Sequence, residues 1–417
     1  ILLQGIIAFD GCLCCPPGAG SPPHTDCMGE AAKKPKLMSG SVKAAIKTLE
    51  SGADLSPEAA SDAMREIMTG EATPAQLGTE SARKRSSSRD GGTHAGCGGP
   101  GWAAPERQCA CPGAFLSLLT LDRCKPGIVH ALAEVMRSSA IPVPVPREGN
   151  FIVDIVGTGG DGQDTFNIST AAGLVAAAAG VRIVKHGNRA ASSKSGAADI
   201  LEAMGANLEL KPELVASVLE ASSFSFLFAR SYHPAMCHVG PVRLEIGIRT
   251  IFNILGPLTN PAKPDGMVCG VYSATLGRMF AEVFKMLGMK RALVVHGCEG
   301  LDELSIAGPS KIWELCEGGE IKEYEVTPAT FGLEPRPLSE VAGGTPAENV
   351  VELKQLLAGG GRAAVRDMIL MNAAAACYVA GKVASLKQGI EFARATLGDG
   401  RATRTAEEFV KATNAAA

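Results

Sequence analysis

The chain has 417 residues and a formal net charge of −3, so it is long enough for one large domain or two to three ordinary ones. The near-neutral charge argues against nucleic acid or an anionic membrane as a general partner, and no apolar run approaches the ~18 residues of a membrane span. The 13 cysteines are odd in number and scattered, which favours reduced thiols in a cytosolic enzyme over a disulfide framework.

The N-terminal segment, residues 1–40, is rich in Gly, Pro and Cys, and this composition predicts a disordered tail. Acidic residues are few there, as in a transit peptide, but the Ser and Arg richness of such peptides is lacking. We therefore expect a cytoplasmic protein. The alternative is the plastid, if residues 1–40 are a truncated transit peptide.

Apolar residues at helical spacing predict helices in the next part of the chain, at residues 42–49, 57–68, 73–77, 114–121 and 128–137. Ser56 followed by Pro57 is typical of a helix N-cap with proline at the first helical position. Residues 79–112 interrupt this pattern and contain no Leu, Ile, Val or Phe. They are rich in Gly, Ser, Arg and Cys, so the composition predicts a disordered insertion.

Beyond a proline-rich connector at residues 140–146, apolar strands alternate with helices, which predicts an α/β domain with a mostly parallel sheet. The predicted strands lie at residues 151–156, 181–184, 224–228, 267–272 and 292–295. The predicted helices lie at residues 171–179, 212–220, 277–287, 366–381 and 386–397, and residues 249–255 fit either structure. The predicted division is a tail at 1–40, a helical domain at 41–145 and an α/β domain at 146–417.

Two loops rich in glycine and hydroxyl side chains follow the first two predicted strands. The first, Gly157-Thr158-Gly159-Gly160-Asp161-Gly162, leads to a helix that Ser169 or Thr170 should cap, and the second spans residues 185–196. Open α/β sheets bind ligands at this end of their strands, where free N–H groups and helix dipoles favour phosphates. Asp161 would then need a cation or a ligand hydroxyl beside it. The alternative is a turn-rich connection without chemical meaning.

The glycine loop also fits the start of two familiar motifs, and both fail further along the chain. A dinucleotide fingerprint expects an acidic residue roughly 20 positions on, where this chain has Lys185 and His186. A P-loop expects Lys followed by Ser or Thr, where this chain has Gln163 and Asp164. The loop is therefore predicted to hold phosphate, without a nicotinamide cofactor or ATP hydrolysis.

Two other patterns could carry chemistry. Asp302 and Glu303 follow a strand-like run, where adjacent carboxylates can bind Mg²⁺, and a solvated acidic loop is the alternative. Arg243 offers a planar fork for a carboxylate, and a surface ion pair of little energetic value is its alternative. No Ser or Cys is paired with a His at the spacing of a nucleophile motif, so we assign no catalytic residue.

These motifs resemble those of the anthranilate phosphoribosyltransferase family. The resemblance is carried by GTGGDGQDTFNIST from Gly157, KHGNRAASSKSGAAD from Lys185, His233-Pro234-Ala235-Met236, Pro241-Val242-Arg243, residues 249–261 and Gly300-Leu301-Asp302-Glu303. It covers residues 41–78 and residue 113 to the C-terminus. It implies a small N-terminal helical domain and a larger α/β domain with a mostly parallel central sheet, the fold of nucleoside phosphorylases and this class of phosphoribosyltransferase.

The resemblance implies transfer of the phosphoribosyl group of 5-phosphoribosyl 1-diphosphate to the amine of anthranilate. The products would be N-(5-phosphoribosyl)anthranilate and pyrophosphate, in tryptophan biosynthesis. Mg²⁺ as the cofactor and a homodimer joined through the helical domain are also implied. Such a displacement can run through an oxocarbenium-like transition state, so an enzyme nucleophile is not needed.

By motif match, the implied substrate-binding residues are Gly157, Gly160, Asp161, Thr165, Asn167, Ile168, Ser169, Thr170, Lys185, His186, Gly187, Asn188, Arg189, Ser192, Ser193 and Arg243. The implied Mg²⁺ ligands are Ser169, Asp302 and Glu303. The resemblance assigns the anthranilate carboxylate to Arg243, with Asn188 in contact and His233 lining the path of the acceptor.

Two positions depart from the family pattern. Ala197 stands where serine is common, and Cys237 stands where a basic residue is usual. The first change removes a hydroxyl that could contact phosphate. We expect either change to weaken the affinity for the phosphoribosyl donor.

Two other functions fit the same fold. A pyrimidine nucleoside phosphorylase would use inorganic phosphate as the nucleophile and would need no Asp-Glu metal pair, so dependence on Mg²⁺ distinguishes it. A non-catalytic nucleic-acid-binding relative would show a basic face and would lack Arg243 or the Asp302-Glu303 pair. This chain keeps both motifs.

Deletion of residues 79–112 should leave activity unchanged or improve it. The segment offers Trp102 as its one bulky apolar group, so it can anchor little to a core. A disordered loop of this length adds on the order of 1–3 kcal/mol of closure entropy, which should act on the helical domain. Both forms are compared in kcat, melting temperature and oligomeric mass. A deletion that does not fold, or that loses activity at unchanged stability, would show that the insertion packs or functions.

Overall fold

The computed structural model of the protein describes residues 40–72, 113–190 and 193–416. The predicted tail before residue 40, the predicted helix at 73–77, the insertion at 79–112 and Ser192 lie outside the described residues. No helix in the described part of the chain is both long and apolar enough to cross a membrane.

The N-terminal helices follow the predicted pattern closely. They are α1 (Ser41–Glu50), α2 (Pro57–Met68), α3 (Gly113–Leu118) and α4 (Pro126–Ser138), with a 3₁₀ turn at Leu121–Arg123. The predicted cap of α2 is confirmed, because the Ser56 side chain accepts a hydrogen bond from the Ala59 N–H and Pro57 follows it.

The strands of the second part form one seven-stranded sheet in the order β3-β2-β1-β4-β5-β6-β7. They are β1 (Ile152–Gly157), β2 (Arg182–Gly187), β3 (Phe224–Phe228), β4 (Gly266–Gly270), β5 (Arg291–Gly297), β6 (Ser310–Leu315) and β7 (Ile321–Val326). The first five strands are parallel, and β6 and β7 are antiparallel additions at the edge beside β5. The mostly parallel α/β sheet expected from the alternating pattern is confirmed.

The helices of this part connect the strands and cover the sheet. They are α5 (Ile168–Ala178), α6 (Ala197–Ala203), α7 (Val215–Ser222), α8 (Ala229–Tyr232), α9 (Gly240–Ile246), α10 (Phe252–Leu255), α11 (Gly277–Met286), α12 (Pro346–Leu357), α13 (Ala363–Val379), α14 (Leu386–Gly398) and α15 (Arg401–Ala415). Short 3₁₀ turns lie between them at Pro212–Leu214, Pro234–His238, Gly256–Leu258, Ala274–Leu276, Pro328–Phe331 and Leu338–Val341.

Two predictions about the segments around the two loops are wrong. The helix expected at 171–179 begins earlier, at Ile168, and Asn167 occupies the N-cap position instead of Ser169 or Thr170. The Asn167 side chain does not cap the helix, so its first-turn N–H groups have no side-chain partner. Strand β2 also runs to Gly187, which places Lys185 and His186 inside the sheet rather than in the loop after it.

The sheet is buried by helices on both faces. On one face, α5 and α13 pack together, and both contribute small side chains such as Ala176 and Ala374 to one buried cluster. On the other face, α11 packs on β5 and β6 and also contacts α4 of the N-terminal helices. Helix α9 contacts α3, so part of the segment between β3 and β4 packs with the N-terminal helices. The division at residue 145 stays a proposal.

A close approach at the carboxyl ends of β1 and β4 depends on two glycines. A Cβ atom on Gly270 would lie 1.6 Å from the main-chain oxygen of Asp302, and one on Gly157 would lie 2.2 Å from Asp302 Oδ2. Both distances are far shorter than any real contact of a Cβ atom. The segment that carries Asp302 can therefore lie against the ends of these strands only because neither residue has a side chain.

The variant Gly270→Ala should lower the free energy of unfolding by about 1–3 kcal/mol and should displace Asp302, because the backbone must move to admit the methyl group. The matched control is Gly398→Ala near the end of α14, where a Cβ meets nothing within 4 Å. There alanine should be neutral or should stabilise by up to about 1 kcal/mol. Chemical denaturation measures both effects. Equal stability of Gly270→Ala and the wild type would contradict the packing described.

Candidate active site

Loops from three strands meet at the carboxyl edge of the sheet. The loop after β1 contacts the segment after β5, where the Gly159 N–H donates to Asp302 Oδ2 at 2.6 Å. The loop after β2 contacts the start of α5, where Asn167 Nδ2 donates to the Ser195 carbonyl at 3.0 Å. The two loops predicted from glycine and hydroxyl content are thus brought together with the predicted acidic pair, at the edge where parallel sheets bind ligands.

The glycine loop uses a backbone shape that other residues adopt rarely. Gly159, Gly160 and Gly162 have φ values of 70°, 74° and 74°, in the left-handed region. An arginine outside the predicted set secures this loop: the Arg249 guanidinium donates to the Gly160 carbonyl and lies 4.5 Å from the centre of the Tyr272 ring. A cation–π contact and a charge-assisted hydrogen bond therefore hold the loop at its tip.

Asn167 links three segments of the site. Its Oδ1 accepts hydrogen bonds from Ser195 Oγ at 3.1 Å and from Asn349 Nδ2 at 2.9 Å, in addition to the bond that its Nδ2 donates. Asn349 lies on α12, nearly two hundred residues further along the chain. Thr165, next along this loop, pairs with Ala342 through an isolated bridge. The side chain of Asn167 is therefore engaged in holding the loops together.

Lys185 is buried at the base of the site, with 1% of its surface exposed. Its Nζ donates to the Ile155 carbonyl and, at 3.2 Å, to Ser169 Oγ on α5. Burial lowers the pKa of this lysine, while the charges of Asp154, Glu303 and Asp302 oppose that effect. Lys185 thus fixes the position of the Ser169 hydroxyl.

Asp302 and Glu303 are both buried and lie next to Asp161. Burial raises the pKa of each, and repulsion by neighbouring carboxylates, Asp161 for Asp302 and Asp302 for Glu303, raises it further. The charge of Lys185 and a hydrogen bond from Ser169 act in the opposite direction on Glu303. When ionised, these carboxylates carry more negative charge than the neighbouring Lys185 balances.

Such an acidic group fits a bound Mg²⁺ ion, which prefers oxygen ligands and keeps several waters. The available donors are the carboxylates of Asp302 and Glu303 and the hydroxyl of Ser169. Within residues 40–72, 113–190 and 193–416, no group of three or more His, Cys, Asp and Glu side chains is arranged to hold a metal ion by itself. Water or substrate oxygens would thus complete the ligand set.

Two buried histidines pack against each other, His186 on β2 and His233 directly after α8. The rings of His186 and His233 are 5.1 Å apart, and the Nε2 atom of each is buried with no hydrogen-bond partner among the described residues. Burial lowers the pKa of His186 to about 3, with the charge of His233 adding to the effect, and burial lowers that of His233 to about 4. Both rings are therefore neutral at pH 7.

Arg243 lies on α9 with its guanidinium 5.6 Å from the Phe252 ring centre. It is partly buried, and burial lowers its pKa. Among the side chains that the structure describes, which do not include those of Leu244 and Glu245, no carboxylate forms a salt bridge with Arg243. A partly buried guanidinium beside an aromatic ring is suited to a carboxylate from a ligand.

The remaining predicted residues after β2 have mixed surroundings. Arg189 donates two hydrogen bonds to Glu202, at 3.1 and 2.7 Å, and lies over the Phe228 ring, so this side chain already has partners in the protein. Asn188 is exposed, and its Oδ1 accepts from the Arg189 N–H. Ser193 Oγ donates to the Ser195 carbonyl at 3.5 Å.

The sequence predictions missed several residues that hold the site. Asp154 is wholly buried on β1 and accepts hydrogen bonds from Asn260 Nδ2 at 2.8 Å and from the His186 N–H at 3.3 Å. Burial raises the pKa of Asp154 to about 6, although Lys185 and both of these bonds oppose the shift. The signal in the sequence was a charged residue inside an apolar strand. Asn349 gave no such signal, because its partner is remote in the chain.

Comparisons with known proteins show what the chain is similar to. The glycosyl transferase family a/b domain matches residues 149–403, and the helical bundle domain of a glycosyl transferase family matches residues 43–79. The anthranilate phosphoribosyltransferase of Rubrobacter xylanophilus is 47% identical over 72% of this chain and 88% of its own. That of Herpetosiphon aurantiacus is 39% identical over 89% of this chain and 99% of its own.

Solved structures show the same fold. The crystal structure of anthranilate phosphoribosyltransferase from Thermus thermophilus has a TM-score of 0.75 at 41% identity, covering 89% of this chain and 99% of that one. The enzyme from Saccharomyces cerevisiae in complex with PRPP and Mg has a TM-score of 0.74 at 30% identity, covering 90% and 99%.

Acid should unfold the protein partly through the two buried histidines. In the folded protein the pKa values of both histidines lie below 6.5, the value in the unfolded chain. Their contribution to the free energy of unfolding is therefore present above pH 6.5 and is lost as the pH falls. As the pH falls from 6.5 to 5, each histidine should lower the free energy of unfolding by about 1–2 kcal/mol. The double variant His186→Gln with His233→Gln should lose less over this interval than the wild type.

Urea denaturation at several pH values measures this slope for the unliganded protein. His130→Gln, on a partly exposed position of α4, controls for the loss of a histidine outside the pair. Parallel pH dependence of the double variant and the wild type would contradict the assignment of acid sensitivity to these rings.

Proposed function

The chain belongs to the anthranilate phosphoribosyltransferase family, and we propose that the loops at the carboxyl edge of its sheet form the active site. The enzyme transfers the phosphoribosyl group of 5-phosphoribosyl 1-diphosphate to the amine of anthranilate, giving N-(5-phosphoribosyl)anthranilate and pyrophosphate in tryptophan biosynthesis. One observation carries the assignment of the site: the glycine loop, the free first turn of α5 and a buried acidic pair converge at one edge.

The phosphoribosyl donor binds between the two loops. The start of α5 faces the anion, because its N-cap side chain does not cap it and the positive end of the helix dipole lies there. The proposed contacts comprise Gly157, Gly160, Asp161, Thr165, Asn167, Ile168, Ser169, Thr170, Lys185, His186, Gly187, Asn188, Arg189, Ser192 and Ser193. Of these, Asn167 and Arg189 act mainly by holding the loops.

Mg²⁺ is the cofactor, and Asp302, Glu303 and Ser169 would hold it. When bound, a divalent cation stabilises the negative charge that develops on pyrophosphate as it leaves. Lys185 contributes by keeping the Ser169 hydroxyl turned toward Glu303. The excess of buried carboxylate over cation in the protein supports this assignment.

Anthranilate binds with its carboxylate on Arg243. A planar guanidinium can grip a carboxylate with two parallel hydrogen bonds, which also sets the direction of the neighbouring amine. Asn188 contacts the same substrate, and His233 lines its path. The neutral His186 and His233 rings offer an uncharged wall to the aromatic ring.

The reaction depends more on the positioning of the two substrates than on acid–base catalysis. The amine nitrogen bonds to the anomeric carbon while the bond from that carbon to the pyrophosphate oxygen breaks, and the electron pair leaves on pyrophosphate. The proton that the amine loses passes to water. Because an aniline-type amine is already neutral at pH 7, orientation of the two substrates supplies most of the required rate enhancement.

We also propose that the enzyme is a homodimer joined through its N-terminal helices and that it acts in the cytoplasm, with the plastid as the alternative. The sequence identities to anthranilate phosphoribosyltransferases favour this activity over that of a pyrimidine nucleoside phosphorylase or a nucleic-acid-binding relative. The direct test mixes the purified protein with anthranilate, donor and Mg²⁺ and follows the loss of anthranilate fluorescence. No loss at high enzyme concentration would overturn the assignment.

Arg243→Ala should raise the KM for anthranilate far more than the KM for the donor. Loss of a charge-assisted bidentate contact should cost on the order of 2–3 kcal/mol of acceptor binding. Arg243→Lys keeps the charge without the planar fork, so it should fall between alanine and the wild type. Steady-state kinetics with each substrate varied in turn measure the effect. Equal changes in the two KM values would mean that the acceptor site is misassigned.

Asp302→Asn combined with Glu303→Gln should abolish most turnover while leaving the fold intact. Removal of a Mg²⁺ site takes several kcal/mol from the stabilisation of leaving pyrophosphate, so kcat should fall by about a hundredfold or more. Glu299→Gln, an exposed acid of the same loop, is the matched control and should keep its rate. A near wild-type rate of the double variant at saturating Mg²⁺ would refute the metal assignment.

A further inference from the structure

A cavity of about 420 Å³ lies at the edge of the sheet opposite the active site. Its wall comes from residues just before β1, β4 and β5, and from the end of α4. Strands of five to seven residues separate it from the catalytic loops, a distance of roughly 20 Å. The polar residues that line it are Arg137, Arg147, Asn150, Lys263, Asp265 and Lys290.

The charges in this wall are unbalanced. Four cationic side chains face one carboxylate, Asp265, among the lining residues. Asp265 is already shared, since Arg147 Nη1 lies 2.9 Å from its Oδ2 and Lys290 Nζ lies 3.0 Å from its Oδ1. Lys263 has no ion pair within the described part of the chain and is exposed. The wall therefore carries a surplus of positive charge.

Arg137 is the buried member of this group. Its side chain is 9% exposed, and its Nε has no hydrogen-bond partner among the described residues. Its nearest acid is Glu134, at 3.5 Å and half-exposed, a pair that stabilises little. A guanidinium so deeply buried and so poorly partnered normally costs stability, because its donors have lost water without gaining acceptors.

We propose that this cavity is a binding site for a small organic dianion that bears phosphate or carboxylate groups. Its volume lies in the range of pockets that hold metabolite-sized ligands. A dianion would offset most of the positive surplus, and the guanidinium forks and lysine ammonium groups match the oxygen atoms of phosphate and carboxylate.

The occupant would join parts of the chain that are distant in sequence. Arg137 belongs to α4 of the N-terminal helices, Arg147 to the connector before β1, and Lys263 to the loop before β4. Arg147 already donates to the Lys263 carbonyl at 2.8 Å, so these two segments are in contact without a ligand. A bound dianion would link α4 to these two segments through Arg137.

Calorimetry of the full chain tests the proposal with the active site saturated by 5-phosphoribosyl 1-diphosphate and Mg²⁺, which blocks the catalytic phosphate positions. The titrants are inorganic phosphate, glycerol 3-phosphate and malonate, so that phosphate and dicarboxylate chemistry are separated. At least one titrant should bind at one site per chain with a dissociation constant below about 1 mM.

Two charge-removing variants locate the site. Arg137→Met and Lys263→Asn should each weaken the binding by about tenfold or more, since each loses a charged contact. Lys263 has a φ of 49°, a conformation that asparagine tolerates better than most residues, so this variant should fold even if Arg137→Met does not. The control is Lys322→Met on the outermost strand, which should bind within about twofold of the wild type.

Three results would overturn the proposal. One is that no titrant binds saturably with a dissociation constant below about 1 mM. Another is equal weakening by the Lys322→Met control. The third is undiminished binding by Lys263→Asn. Absence of donor binding in the same calorimeter would instead count against the proposed catalytic site, so the two failures are distinguishable.

Discussion

The proposed active site depends on burying Asp302 and Glu303 against the ends of β1 and β4. Gly157 and Gly270 permit this approach, because a side chain at either position would overlap Asp302. Burial makes the acidic charge costly, and Lys185 is the buried cation that lies beside it. The fold thus holds a charge arrangement that is incomplete by itself and that a divalent cation with a phosphate-rich substrate would complete.

Around this acidic pair, the loops are held by contacts between remote segments. Asn167 is bonded to Ser195 and to Asn349 on α12, and Arg249 secures the glycine loop at Gly160. These bonds leave the first-turn N–H groups of α5 without side-chain partners. Rigid loops with unpaired donors are what electrostatic catalysis requires, since the donors need not reorganise when charge develops on the leaving group.

The two edges of the sheet differ in charge. Buried carboxylates gather at the carboxyl edge, where a Mg²⁺-bound diphosphate is the proposed ligand. Arginine and lysine gather at the amino edge, around a cavity whose one lining acid is already shared by two cations. The segment between α10 and β4 reaches both edges: the Gly256 carbonyl contacts His186 Nδ1, and the Lys263 carbonyl contacts Arg147.

Local sequence patterns predicted the mostly parallel sheet and the glycine loop, because periodicity and glycine content reflect local backbone geometry. Specific motifs also indicated the acidic pair and Arg243. The three-dimensional contacts were needed to show that Asn167 is the N-cap residue of α5, that Lys185 lies within β2, and that Asn349 bonds to Asn167. They were likewise needed to show that Arg137, Arg147 and Lys263 share one wall. These outcomes depend on contacts between residues far apart in the chain, which no local pattern encodes.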